Sequence, residues 1–210
     1  MALAAILPQP HAQGLKASGS SAADIVPAGW ESIFTTGDLN ADGIADLVLI
    51  ATPCDKEKMK IRNDGYVYNF NQPILAVYWG LKNGTFKLFK QYDKAIPARE
   101  SEFLSITPAI NITKRGTLEI SLEFFASAGS WTQPTTTHTF RYQNNDFFLI
   151  GKDVNELVRN TGETIETSEN YLTRKRIVTT MSTNSKRPAV KKTRLPKNQL
   201  KSLGFNLNDL

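Results

Sequence analysis

The chain is poor in the side chains that most often carry chemistry. Among 210 residues there is one cysteine, Cys54, and there are two histidines, His11 and His138. A single cysteine excludes an intramolecular disulfide framework and every zinc site built from several thiolates. Two histidines leave little for imidazole-based metal or acid–base work. No apolar run approaches the roughly 18–20 residues a membrane-spanning helix needs. No glycine-rich loop of the P-loop or dinucleotide type occurs. What is present is ordinary globular composition, 40% hydrophobic and 21% charged, which excludes wholesale disorder. The length suits one domain with room for appendages.

Charge is distributed unevenly. The net charge is +5, yet residues 171–210 hold ten Lys/Arg against the single acid Asp209, a local +9 that leaves −4 for the other 170 residues. A basic block of this kind can attract phosphate-rich polymers or anionic lipid, but more often is only a solvated edge strand and tail. Its aromatics are sparse, Tyr171 and Phe205, so stacking on bases has little to work with.

The N-terminus reads as a processed segment. Residues 2–7 are apolar, Pro8 and Pro10 break the run, and His11-Ala12-Gln13-Gly14 follows. That order matches the rear half of a secretory signal peptide, without its basic front. Residues 14–24 are small and polar and read as a flexible lead-in. The expected organisation is a signal remnant and lead-in over 1–24, a β domain over 25–185, and a basic tail with a short helix over 186–210.

The body reads as strands. Residues 46–52 and 74–79 are near-continuous apolar runs of strand length, and Asn83-Gly84 after the second is a hairpin signal. Residues 85–90 and 117–124 alternate apolar and polar, the pattern of a half-buried strand. Residues 33–36, 135–142, 147–150 and 176–181 are rich in β-branched and aromatic residues, with Asn144-Asn145 as a turn. Residues 104–150 supply a second four-stranded meander. Only 154–159 and 197–203 read as short helices. The predicted class is all-β: antiparallel meanders, with a blade-like sheet packed on a second sheet.

One motif carries chemistry: Asp38-Leu39-Asn40-Ala41-Asp42-Gly43-Ile44-Ala45-Asp46. Oxygen ligands at alternate positions suit a hard cation, and Ca²⁺ fits better than Mg²⁺, which keeps more water. Asp38, Asn40 and Asp42 can converge, Gly43 permits the turn, the Ile44 carbonyl adds a contact, and Asp46 closes the shell. A 12-residue EF-hand loop would need an acid where Leu49 stands, so a nine-residue loop between strands is preferred. The bland alternative is an Asp/Asn/Gly-rich turn with no ion.

The run from Phe34 to Leu49 resembles the calcium-binding repeat of FG-GAP/VCBS-type proteins, and Leu75–Gly80 with Asn83-Gly84-Thr85-Phe86 resembles the later strands of that repeat. The likeness covers residues 33–90. It implies Asp38, Asn40, Asp42, Ile44 (backbone) and Asp46 as Ca²⁺ ligands. A closed propeller needs about four to eight blades, and this chain has one clear copy, so a sandwich or partial propeller-like arrangement is expected instead.

Enzyme signals are weak. Ser130 lacks a G-x-S-x-G elbow, and only His138 could serve it as base. Cys54 is a lone thiol, Glu119 and Glu123 fit a solvated strand face, and Asn111 begins a glycosylation sequon. The expected function is therefore a non-catalytic, exported, calcium-stabilised β module, periplasmic, cell-surface or secreted. Its partner would be a protein, a glycan or an envelope component, with Trp131 as an aromatic contact. Anion or nucleic-acid binding through the basic segment is the alternative, and a hydrolase comes third. If residues 2–14 are a signal remnant, N-terminal sequencing of the protein from its native host will read from near Gln13 or Gly14; finding Met1 there overturns the export reading.

Overall fold

The computed structural model describes residues 14–185, 187–197, 200–204 and 206–209. In chain order its strands are β1 (Ser18–Gly19), β2 (Glu31–Gly37), β3 (Asp46–Thr52), β4 (Met59–Ile61), β5 (Val67–Asn69), β6 (Ile74–Gly80), β7 (Phe86–Tyr92), β8 (Leu104–Ile112), β9 (Thr117–Ala126), β10 (Thr132–Gln143), β11 (Asp146–Val158), β12 (Glu163–Asn170), β13 (Lys175–Met181) and β14 (Ala189–Arg194). One short helix, α1 (Ala22–Ile25), follows β1.

The first sheet has the order β1-β7-β6-β3-β2, a four-stranded meander with β1 added at its edge. The β4–β5 hairpin is inserted between β3 and β6. The second sheet runs β8 to β14 in sequence order. Every ladder is antiparallel. One sheet curls as a half-barrel, no barrel closes among the described residues, and the two sheets share one core in a sandwich-like packing. The all-β, antiparallel, blade-on-sheet class read from the sequence is thus the class observed.

Two-sided burial explains the unbroken apolar runs. In β3, Val48 and Ile50 face the core between the sheets, with Leu75 and Val77 of β6 beside them. Leu47, Leu49 and Ala51, with Ala76 and Tyr78, face a second core on the outer side. A strand buried on both faces has no position where alternation would place a polar residue. By contrast, β9 has one face in the core, so Leu118, Ile120 and Leu122 are buried while Glu119, Ser121 and Glu123 point away. The β10–β11 hairpin turns at Asn144 and Asn145, whose φ values of 50° and 60° suit the twist of a tight hairpin. An ion pair from Lys90 Nζ to Asp146, 2.9 Å, spans the two sheets at that end.

Three expectations need correction. Residues 1–13, where the signal remnant was read, lie outside the described residues, but the lead-in from residue 14 is structured. Ser21 caps α1, Ile25 is fully buried, and the Tyr78 hydroxyl donates to the Lys16 carbonyl at 2.9 Å. This segment is the lid of the outer core. Its small residues looked flexible because its apolar contribution is only a few side chains, Leu15, Ala22, Ile25 and Val26.

The helix expected over 154–159 is instead the far half of β11. Val154 pairs with Thr136 on one side and Thr167 on the other, and two complete ladders outweigh local spacing. The segment read as a basic tail is built into the fold. Ala189–Arg194 is edge strand β14. Of the helix expected over 197–203, residues 198 and 199 lie outside the described residues, Ser202 bridges to Phe148, and a 3-10 turn comes later, at Leu207–Asp209. The Leu149 N–H donates to the Lys201 carbonyl (2.8 Å), the Leu203 N–H to Phe147 (2.7 Å) and the Leu207 N–H to Ala95 (3.0 Å). Leu203 and Leu207 enter the core.

Leu203→Ala should therefore cost about 2–5 kcal/mol in urea unfolding, as for a buried core leucine. Val190→Ala on the open edge should change stability by less than about 0.5 kcal/mol. A silent Leu203→Ala would show that the C-terminal segment is not part of the core.

Candidate metal centre

The ladder between β2 and β3 ends at the Gly37–Asp46 pair, so residues 38–45 form the hairpin loop. Leu39 is buried in the core between the sheets and pins the loop from within. Ala41 and Gly43 both take positive φ, 62° and 82°. Glycine does so freely, whereas for alanine this conformation is strained and must be held by its surroundings.

The polar side chains of the loop hold its backbone. Asp38 accepts from the Asp42 N–H at 3.3 Å and from the Gly43 N–H at 2.9 Å. Asn40 Oδ1 accepts from the Asp42 N–H at 3.0 Å, and its Nδ2 donates to Asp42 Oδ2 at 3.1 Å. Asp42 Oδ1 accepts from the Ile44 N–H at 2.8 Å. Asp38, Asn40 and Asp42 are thus brought together in one hydrogen-bonded turn.

Asp46 has a different job. It is fully buried, Oδ2 accepts from the Leu39 N–H at 2.8 Å, and Oδ1 from the Gly80 N–H at 3.0 Å. One carboxylate therefore ties the start of β3 to the loop and to the end of β6. Burial pushes its carboxyl above the ordinary value of 3.8, the N–H groups of Gly80 and Leu39 pull it back, and the charges of Asp42 and Asp38 push it up again. Gly80 makes the approach feasible, since a Cβ there would sit 2.1 Å from the Ala45 carbonyl oxygen. The sequence signal for Gly80 was a glycine ending an apolar strand, a mark of close backbone approach.

The donors fit a hard cation. All are oxygens, each carboxylate oxygen accepts one N–H and retains a second lone pair, and no ion pair among the described residues involves Asp38, Asp42 or Asp46. The side chains are not drawn into a ready-made cluster of three or more acidic or other ligating groups among the described residues. Asp38, Asn40 and Asp42 with the Ile44 carbonyl would supply the contacts, and Asp46 supplies charge from behind.

The other candidates are dispersed. Ser130 hydroxyl donates to the Thr132 carbonyl at 3.0 Å in an exposed turn, while His138 is buried and its ring nitrogens have no partner among the described residues. They do not form a nucleophile–base pair. Cys54 is half-buried with Asn69 Nδ2 at 3.8 Å from its sulfur. Glu119 accepts from Asn111 and Glu123 from Gln133, each in its own cross-strand pair. Trp131 is 67% exposed. On β14, Lys191 and Lys192 lie opposite Val178 and Ile177, so they point to opposite faces of the sheet rather than forming one basic patch.

Comparison of the chain with known protein families, with characterised proteins and with solved structures found no match.

Asp46→Ala leaves two buried N–H groups without acceptors, and should destabilise the protein by about 2–5 kcal/mol. Gly80→Ala should be comparably damaging through its clash with Ala45. Chemical denaturation checks both, and near-wild-type stability of Asp46→Ala would mean the carboxylate does not anchor the loop.

Proposed function

We propose that this chain is a non-catalytic, exported, calcium-stabilised β module that serves as a binding or surface component. The observation that supports the reading is the buried Asp46 carboxylate, backed onto the Asp38 and Asp42 charges with no Lys or Arg paired to any of them among the described residues. Three acids in one hairpin loop repel one another, and a hard cation seated on the Asp38, Asn40 and Asp42 oxygens relieves that repulsion. The strained Ala41 points the same way, because a conformation of this kind persists only where the loop is held from several sides. The likeness of residues 33–90 to the FG-GAP/VCBS repeat, carried largely by this same loop, agrees with the reading. The cation's role is structural: it clamps the β2–β3 loop over the end of β6, and leaves the exposed Trp131 turn for a partner.

An ion that binds only the folded state stabilises it by about 2.7 kcal/mol when its concentration is a hundredfold above Kd. For a chain of this size that corresponds to a rise of about 5–10 °C in Tm. Calorimetry in millimolar calcium against chelator should show the rise. Asp42→Ala should remove it, whereas Asp55→Ala, outside the loop, should retain it. Identical melting in calcium and chelator, with no heat of calcium binding, would reduce the loop to a hydrogen-bonded turn.

A further inference from the structure

The inner face of the seven-stranded sheet carries a second polar feature, remote in sequence from the calcium-type loop and independent of it. His138 on β10 is 1% exposed, and among the described residues neither Nδ1 nor Nε2 has a hydrogen-bond partner. Directly across the ladder stands Lys152 of β11. The two meet because a register shift after Thr139, which pairs Thr139 with Gly151 but Phe140 with Leu149, restores Lys152 to the inward face beside His138. Lys152 is half-buried and makes no hydrogen bond or ion pair among the described residues.

Both groups line one cavity of about 280 Å³. The rest of its lining is Leu122, Phe124, Pro134 and Leu207, with the polar Thr136 and Asn208. We propose that this cavity binds a small amphipathic carboxylate, with its head on the Lys152 ammonium and the His138 ring and its apolar arm along Leu122, Phe124 and Pro134.

The charge balance selects the sign of the ligand. Burial lowers the Lys152 pKa, Glu169 raises it, and the nearby Lys201 and Arg176 lower it further. Glu169, opposite Lys152 on β12, is already engaged: the Tyr171 hydroxyl donates to it at 2.7 Å and Arg176 Nε lies 3.4 Å away. Among the described residues, then, the one acid that acts on Lys152 is shared with Tyr171 and Arg176. His138 is pushed down to about 4, first by burial and then by Lys152, so at neutral pH its ring is uncharged, with one N–H to donate. A carboxylate accepts from that N–H and from the ammonium with its two oxygens.

Volume and lining select the rest. Ligand pockets commonly span about 300–1,000 Å³, so this one takes a small guest. A bare inorganic anion would satisfy the polar end and leave the leucine, phenylalanine and proline surfaces wet. An uncharged hydrocarbon would leave Lys152 and His138 without partners.

The test uses the full chain and sodium octanoate as probe, with titration calorimetry and ¹⁵N spectra of the histidine rings. Saturable octanoate binding is expected, with the His138 ring resonances moving in step with the heat. Octanol, which keeps the arm and loses the charge, and acetate, which keeps the head and loses the arm, should each bind at least tenfold more weakly. Lys152→Met keeps a long apolar stem at a half-buried position and should lower octanoate affinity at least tenfold, with circular dichroism unchanged. Glu119→Gln, on the opposite face of β9, should leave affinity as it was. Absence of saturable octanoate binding to the wild-type chain overturns the proposal. So does acetate binding as tightly as octanoate, or affinity that Lys152→Met leaves intact.

Discussion

Neither β3 nor β6 has a face left for water, and the arrangement of the other elements follows from that condition. Their inner residues need a second sheet, which the long meander from β8 onward provides. Their outer residues need a cover as well, and α1 with β1 provides it. Burying apolar area on both sides of a strand pair is favourable at about 25 cal/mol per Å². It also forces every polar group at the strand ends to find a partner inside the protein. Asp46 answers that need at one end, since it accepts the N–H groups of Leu39 and Gly80 together. The Asp46 charge is thus an outgrowth of core packing: it is buried because the strand it begins is buried, while Asp42 of the loop stays exposed.

How much of this was legible in the sequence depends on where each residue's partners come from. The β3 and β6 runs, the alternation of β9 and the Asn144-Asn145 turn are decided by near neighbours or by which faces are covered, and they could be read directly. The Asp38–Asp46 loop could be read as a group because its oxygens lie at alternate positions. That Asp46 faces inward to Gly80, thirty-four residues on, could not, because its partner is fixed by the β3–β6 register. β12 escaped notice for a related reason. Its sequence, ETIETSEN, has little apolar content, and it is a strand because β11 and β13 offer it ladders on both sides. The same ladders override the apolar spacing of Val154, Leu157 and Val158. The meeting of His138 with Lys152 left no sequence trace, since it needs both the hairpin and its register shift.

Basic side chains are concentrated on β13 and β14, at one edge of the second sheet, beside the glutamates of β12. On β14 they also stand at an unpaired edge, and lysines there discourage another strand from adding to the sheet. Part of the positive excess at that edge thus has an explanation in solubility, without any polyanion.

The bonds from Lys201 and Leu203 to the first half of β11 also impose an order in time. Phe147 and Leu149 acquire their outer backbone partners only from residues more than fifty positions later in the chain. During synthesis the hairpins β8 to β14 can form one after another as they emerge, each from adjacent residues, which is the rapid regime of local pairing. The sandwich itself stays open along β11 until residue 207 has emerged, because Leu203 and Leu207 fill the space between the sheets. A chain released short of that point keeps a bare stretch of β11 edge beside a half-filled core, the kind of surface on which unfinished β proteins associate.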